Sequence, residues 1–160
     1  MDTRTLVAAD AIAVAELWLA GAHESGVVDA TFRPRVSVAE YGSTLREEFT
    51  SGTIVGWGRF SPSNELLGYL TARVSEASLE FLPAKYLYLL DLDVRPIARR
   101  RGIGSALVQV ARLFAKERSL ESIEVSWLLA DARATAFWRR QGFAQYLARA
   151  RSAAVVESPR

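Results

Sequence analysis

The chain has 160 residues, half of them hydrophobic and 24% charged, which suits one globular domain with a real core. It has no cysteine and one histidine, His23, so disulfides, thiolate metal sites and a cysteine nucleophile are excluded, and no metal site is expected. The formal net charge is only +2, below the basic excess usual for a nucleic-acid binder, although nearly all the positive charge is arginine.

No apolar run approaches the roughly 20 residues of a membrane span. The N-terminus, "MDTRTLVAAD", has no signal-peptide pattern, so a cytoplasmic location and no membrane partner are expected. The chain reads as one domain over residues 1–151, with 152–160 as a flexible tail.

Residues 3–7 are predicted as a first strand. Asp10 is then placed to cap a helix through about Ala22, with Val14, Leu17, Trp18 and Gly21 on one face. "GVVDATFRPR" reads as a loop. Ser37 to Glu40 has the spacing of a capping box, and Gly52 ends the helix it opens. "TIVGWGRF" and "ELLGYLTARV" flank Ser61-Pro62-Ser63-Asn64, which predicts a hairpin.

The loop "SEASLEFLP" follows, and then "KYLYLLDLDV", a nearly apolar strand that stops before Pro96. The next helix carries Ile103, Leu107, Val110 and Phe114 on one stripe. "SIEVSWLL" is a strand. Asp131 caps a helix that Gly142 terminates, and "FAQYLARARS" is predicted as a last strand, open to pairing across a homodimer. The order implies an α/β fold of the α+β kind, with a mixed sheet covered by helices on its faces.

Between the apolar strand and the striped helix lies "RRRGIG". Arg99, Arg100 and Arg101 stand at the positive end of a helix, where cations are unfavourable by a few tenths of a kcal/mol each. A solvated basic turn is the plainest reading. A dinucleotide fingerprint is a second, but seven residues separate Val94 from Gly102, where that fingerprint needs a tight turn straight off the strand, and only 56 residues follow Gly104. A third reading removes the electrostatic conflict. Free amides at a helix N-terminus bind anions, glycines let phosphate approach, and arginine matches phosphate geometry. The loop therefore predicts a pyrophosphate-bearing ligand.

"DLDVRPIARRRGIGSALV" resembles the acetyl-CoA-binding motif of the GCN5-related N-acetyltransferases (GNAT), [QR]-x-x-G-x-[GA] after a strand ending in V-x-P. "DARATAFWRRQGF" resembles that family's next motif, N-x-x-A-x-x-[FL]-Y-x-x-x-G-[FW]. The resemblance covers about residues 88–143 by motif and the rest by element order. It implies a central, mostly antiparallel mixed sheet with about four helices. It also implies a strand splayed from its neighbour to admit coenzyme A. Backbone groups near Leu92, Asp93 and Val94 would pair with the pantetheine arm. Arg99, Arg100 and Arg101 with Gly102, Ile103, Gly104 and Ser105 would surround the phosphates, and Asp131, Phe137 and Trp138 would complete the coenzyme site.

The implied activity is transfer of an acetyl group from acetyl-CoA, as co-substrate, to a primary amine of a small molecule or peptide. Without cysteine, the simple route is direct attack by the amine in a ternary complex. Asp93 is the first candidate for the base and Asp91 the second. They share one strand face, and a carboxylate in an apolar strand needs a reason. Pairing with a nearby arginine is the competing explanation. Glu80 and Glu124 are further carboxylates near that strand.

Two positions depart from the motif. Trp138 stands where the family has its tyrosine proton donor, and Asp131 replaces the asparagine. An indole N–H donates a hydrogen bond but is no practical acid, so Tyr146 or water is the candidate substitute. A non-catalytic acyl-CoA-binding or sensor domain of the same fold is the rival reading.

Overall fold

The computed structural model describes residues 2–77 and 85–151. Glu80, most of "SEASLEFLP" and the expected tail fall outside them. Five strands form one sheet in the order β1-β2-β3-β4-β5. They are β1 (Asp2–Thr5), β2 (Val55–Phe60), β3 (Leu66–Glu76), β4 (Lys85–Val94) and β5 (Ser122–Val125). The first three pairings are antiparallel, and β4 pairs with β5 in parallel. The helices are α1 (Ala11–Val28), α2 (Val38–Ser51), α3 (Ile103–Glu117) and α4 (Ala132–Arg140). The mixed sheet and the four helices match the fold expected.

Each face of the sheet has its own core. On one, Trp57, Leu70, Ala72, Leu87 and Leu89 meet Ile103, Leu107, Val108 and Ala111 of α3 and Trp138 of α4. On the other, Val14 and Leu17 of α1 and Leu45 of α2 meet Phe60, Leu66 and Tyr69. The predicted α3 stripe therefore faces its core, with Val110 and Phe114 at the margin.

Local signals placed most helix ends. Ser37 accepts from the Glu40 amide at 3.2 Å, and Glu40 accepts from the Ser37 amide at 2.8 Å, so the capping box forms. Gly52 stops α2 at φ 73° and Gly142 follows α4 at φ 83°. Asp131 caps α4 through the amides of Arg133 and Ala134. Ser37→Ala should cost about 1 kcal/mol and lower Tm by roughly 2–4 °C, which a thermal melt reads directly.

Three expectations need correction. The helix α1 runs to Val28, six residues past Ala22, and takes in the start of the supposed loop. Asp10 does not cap it. Its carboxylate accepts from both terminal nitrogens of Arg4 at 2.8 Å and from the Val7 amide at 2.9 Å. The last strand is also absent: residues 143–151 carry no strand, and Tyr146 and Leu147 are exposed. The segment forms no ladder with the outer edge of β5, although Tyr146 lies beside Glu124 of that strand. Instead Arg151 fastens the segment to Asp29 at 2.6 Å.

Candidate active site at the parting of two strands

The glycine loop opens α3 without a side-chain cap. The first amides of a helix have no intrahelical partner, and the helix dipole makes that end attractive to anions. Gly102 is there for its conformation. Its φ is 77° and nothing lies within 4 Å of a Cβ placed on it. Gly104 is there for space, since a Cβ would sit 3.2 Å from the Phe137 ring of α4. Arg100 shares the left-handed region at φ 63°.

The three arginines separate. Arg100 and Arg101 are exposed. Arg99 turns inward, donating from Nε to the Val94 carbonyl at 2.9 Å and from both terminal nitrogens to Glu24 of α1 at 3.1 and 2.8 Å. Arg133 of α4 meets the same carboxylate at 2.9 Å. Glu24 thus ties α1 to the glycine loop and to α4, and its two arginines hold its pKa below the ordinary value.

Beside this tie the sheet opens. Strands β4 and β5 pair from Tyr86↔Ser122 to Leu89↔Val125 and then part. Beyond that point β4 runs on to Val94 with β3 on one side only. Among the described residues no strand pairs with its other edge, where Arg99 takes the Val94 carbonyl, and an unpaired edge is a template for an added chain.

A bulge falls at the same place. Opposite the adjacent residues Thr71 and Ala72 of β3 stand Asp91 and Leu89, so Leu90 is the extra residue. One inserted residue reverses which face each later side chain takes. Before it, Leu87 and Leu89 point to the α3 core; after it, Leu92 and Val94 do. Asp91 and Asp93 therefore point toward α1. Without the bulge, both carboxylates would enter the α3 core.

On the α1 side a polar group surrounds them. Asp93 accepts from the Tyr69 hydroxyl at 3.2 Å, and Asp91 from Thr71 at 3.5 Å. The Trp18 indole N–H and the Tyr41 hydroxyl also face Asp91. The backbone of α1 comes so close at Gly21 that any Cβ there would collide with the Asp93 carboxylate.

Burial raises the pKa of Asp93 to about 7, and the neighbouring Asp91 charge adds to the rise; Tyr69 and Arg99 oppose it. Burial likewise raises Asp91, against the pull of Trp18, Thr71 and Tyr41. The result is a carboxyl poised near neutrality where the strands part, which suits proton transfer. Neither aspartate has an arginine within ion-pairing distance among the described residues, so the pairing explanation does not hold for them.

The other expected residues lie elsewhere. Trp138 is buried among Phe137, Phe143 and Trp127, with ring centroids at 5.0, 5.2 and 6.5 Å. It is a core residue. Tyr146 lies beside Glu124 of β5, away from the aspartates. Glu24, Tyr41, Tyr69 and Thr71 were not anticipated. Their partners stand far off in the chain, and no local spacing marks them.

A sheet parted between β4 and β5, with a glycine loop opening a helix at the end of the longer strand, is the arrangement of the acyl-CoA N-acyltransferase fold. The Acetyltransferase (GNAT) family model matches residues 15–143, and the chain belongs to that family. Solved structures with the same fold include a mutant of a Bacillus halodurans protein, at TM-score 0.84 and 19% identity over 97% of this chain and 100% of that one. Another is a GCN5-related N-acetyltransferase from Ralstonia eutropha, at TM-score 0.75 and 22% identity over 96% and 99%. A third is an aminoglycoside 6'-N-acetyltransferase from Acinetobacter haemolyticus, at TM-score 0.72 and 16% identity over 98% and 100%. No curated protein matches the chain in sequence.

Proposed function

We propose that this protein is an acetyl-CoA-dependent N-acetyltransferase that acts on a primary amine in a ternary complex, with Asp93 as general base and Asp91 as its partner. The observation that carries the reading is the position of Asp93. A half-buried carboxyl with a pKa of about 7 stands on the stretch of β4 beyond its parting from β5, on the strand that leads into the glycine loop.

The residues present fit coenzyme A. The uncapped amides at the start of α3, with Gly102 in the left-handed region, suit a pyrophosphate held by Arg100 to Ser105. The free edge of β4 at Leu92, Asp93 and Val94 suits the amide-bearing arm of the coenzyme. The bound coenzyme supplies an activated acetyl thioester. The chain's own part is to orient the amine and hold its proton. An alkyl ammonium must be deprotonated before it can attack, and Asp93 accepts that proton while Asp91 and Tyr69 adjust its basicity.

Burial of Trp138 in the core favours the sensor reading, because it leaves no acid at the motif's tyrosine position. The two readings separate in one experiment. The protein is incubated with acetyl-CoA and a panel of primary amines, free CoA is followed, and the thermal shift with CoA is read in parallel. Turnover on any amine supports the transferase. A CoA-dependent shift with no turnover on the panel supports the sensor, and no shift overturns both. Gly102→Val, which forces a branched residue to φ 77°, should weaken CoA binding about tenfold in the same thermal assay.

A further inference from the structure

Among the described residues, α1 and α2 leave one part of a sheet face uncovered just before the strands part, and it has its own chemistry. Tyr86 and Tyr88 alternate with the buried Leu87 and Leu89, so both rings stand on the α1 side of β4. In the parallel register Tyr86 is opposite Ser122 and Tyr88 is opposite Glu124. The Tyr88 hydroxyl meets the Ser126 hydroxyl at 2.9 Å, which fixes that ring across the point of parting. Tyr146, three-quarters exposed, lies over the same patch with its hydroxyl facing Glu124 and with Tyr86 and Tyr88 nearby.

Three aromatic rings and a carboxylate form the kind of surface that binds an ammonium group. A cation already uses it: the Arg73 guanidinium of β3 lies 5.8 Å from the centre of the Tyr88 ring. That leaves the β5 side, with Tyr86, Tyr146 and Glu124, for an incoming charge. Glu76, another acid at this end of the sheet, is paired with Lys85 at 3.1 Å.

Spacing gives the class of ligand. Strands rise about 3.3 Å per residue, so Glu124 lies roughly 7 Å before Ser126, and Tyr88 lies about 10 Å before Asp91. An amine whose reacting nitrogen lies beside Asp91 needs a second cation several methylenes away to reach Glu124, which is level with Tyr88.

We propose that the acceptor is an aliphatic diamine, or an amine bearing a second cation at similar distance, whose remote ammonium is held by Tyr86, Tyr146 and Glu124. For the reaction this rests on the transferase reading; for binding it does not. The platform selects for a doubly charged acceptor and turns its other end toward Asp91 and Asp93.

The test compares diaminopentane with pentylamine in the presence of CoA, by calorimetry, on the wild-type chain, Glu124→Gln and Tyr86→Leu. The wild type should bind the diamine at least about tenfold more tightly. Each substitution should bring the ratio of the two affinities toward one. Both positions are partly exposed, and a persistent CoA-dependent thermal shift verifies folding. Equal affinity for the two amines in the wild type, or a ratio unchanged in both variants, overturns the proposal. Preferential diamine binding with no release of CoA from acetyl-CoA leaves the platform standing and removes the transferase reading instead.

Discussion

Asp93→Asn is expected to lower kcat/KM for amine acetylation by a factor on the order of 10² to 10⁴, the usual contribution of a positioned general base. The same change should raise stability at pH 8. In the fold the carboxyl holds its proton up to about pH 7, first because it is buried and second because Asp91 is beside it. In the unfolded chain it releases the proton near 4. The fold binds the proton more tightly, so stability is full below about pH 4 and is lost as pH rises toward 7. Above 7 the ionised group costs on the order of 4 kcal/mol, since each pH unit between the two pKa values is worth 1.36 kcal/mol.

An amide at position 93 never ionises. Its Tm should exceed that of the wild type by several degrees at pH 8 and differ little at pH 4. In the wild type, kcat/KM should rise with pH to a midpoint near 7, and that limb should vanish in the variant. Because Asp91 is also raised, the midpoint belongs to the pair. Thermal melts and a pH–rate profile decide it. A variant that keeps its activity, or one that is no more stable at pH 8, would show that Asp93 does not carry the proton.

The features legible in the sequence are those whose causes are local. Ser37 and Glu40 bond to each other's amides, and Gly52, Gly102 and Gly142 each serve a left-handed position, so a few adjacent residues suffice to place them. The length of α1 is another matter. Gly21 and Gly26 lower its helix propensity, yet tertiary contacts carry the helix through both, and Gly26 packs against Arg33.

The bulge lies between these cases. In "YLYLLDLDV" the alternation breaks at the doublet Leu89-Leu90, and that doublet marks the change of face. Asp91 and Asp93 could be assigned to one face by their spacing; which face depends on the extra residue. The tie from Glu24 to Arg99 and Arg133 spans 75 and 109 positions, so no local pattern announces it.

Gly21→Ala tests how closely the site depends on α1. In an exposed helix interior this substitution stabilises by about 1 kcal/mol. Here the sign should reverse. The new methyl group would occupy the place of the Asp93 carboxylate, so either the helix lifts or Asp93 turns away from Tyr69. Forced overpacking of this kind costs about 1–3 kcal/mol, which exceeds the propensity gain. Activity should fall at least about a hundredfold, because the base loses its position even though its chemistry is unchanged. The decisive comparison is a double-mutant cycle. In an Asp93→Ala background the three atoms nearest the new methyl group are gone, and the substitution should return to stabilising by about 1 kcal/mol. Chemical denaturation of the four proteins measures that coupling. If Gly21→Ala were equally destabilising with and without the carboxylate, the close approach of α1 would serve general helix packing, and its role in holding Asp93 would fall.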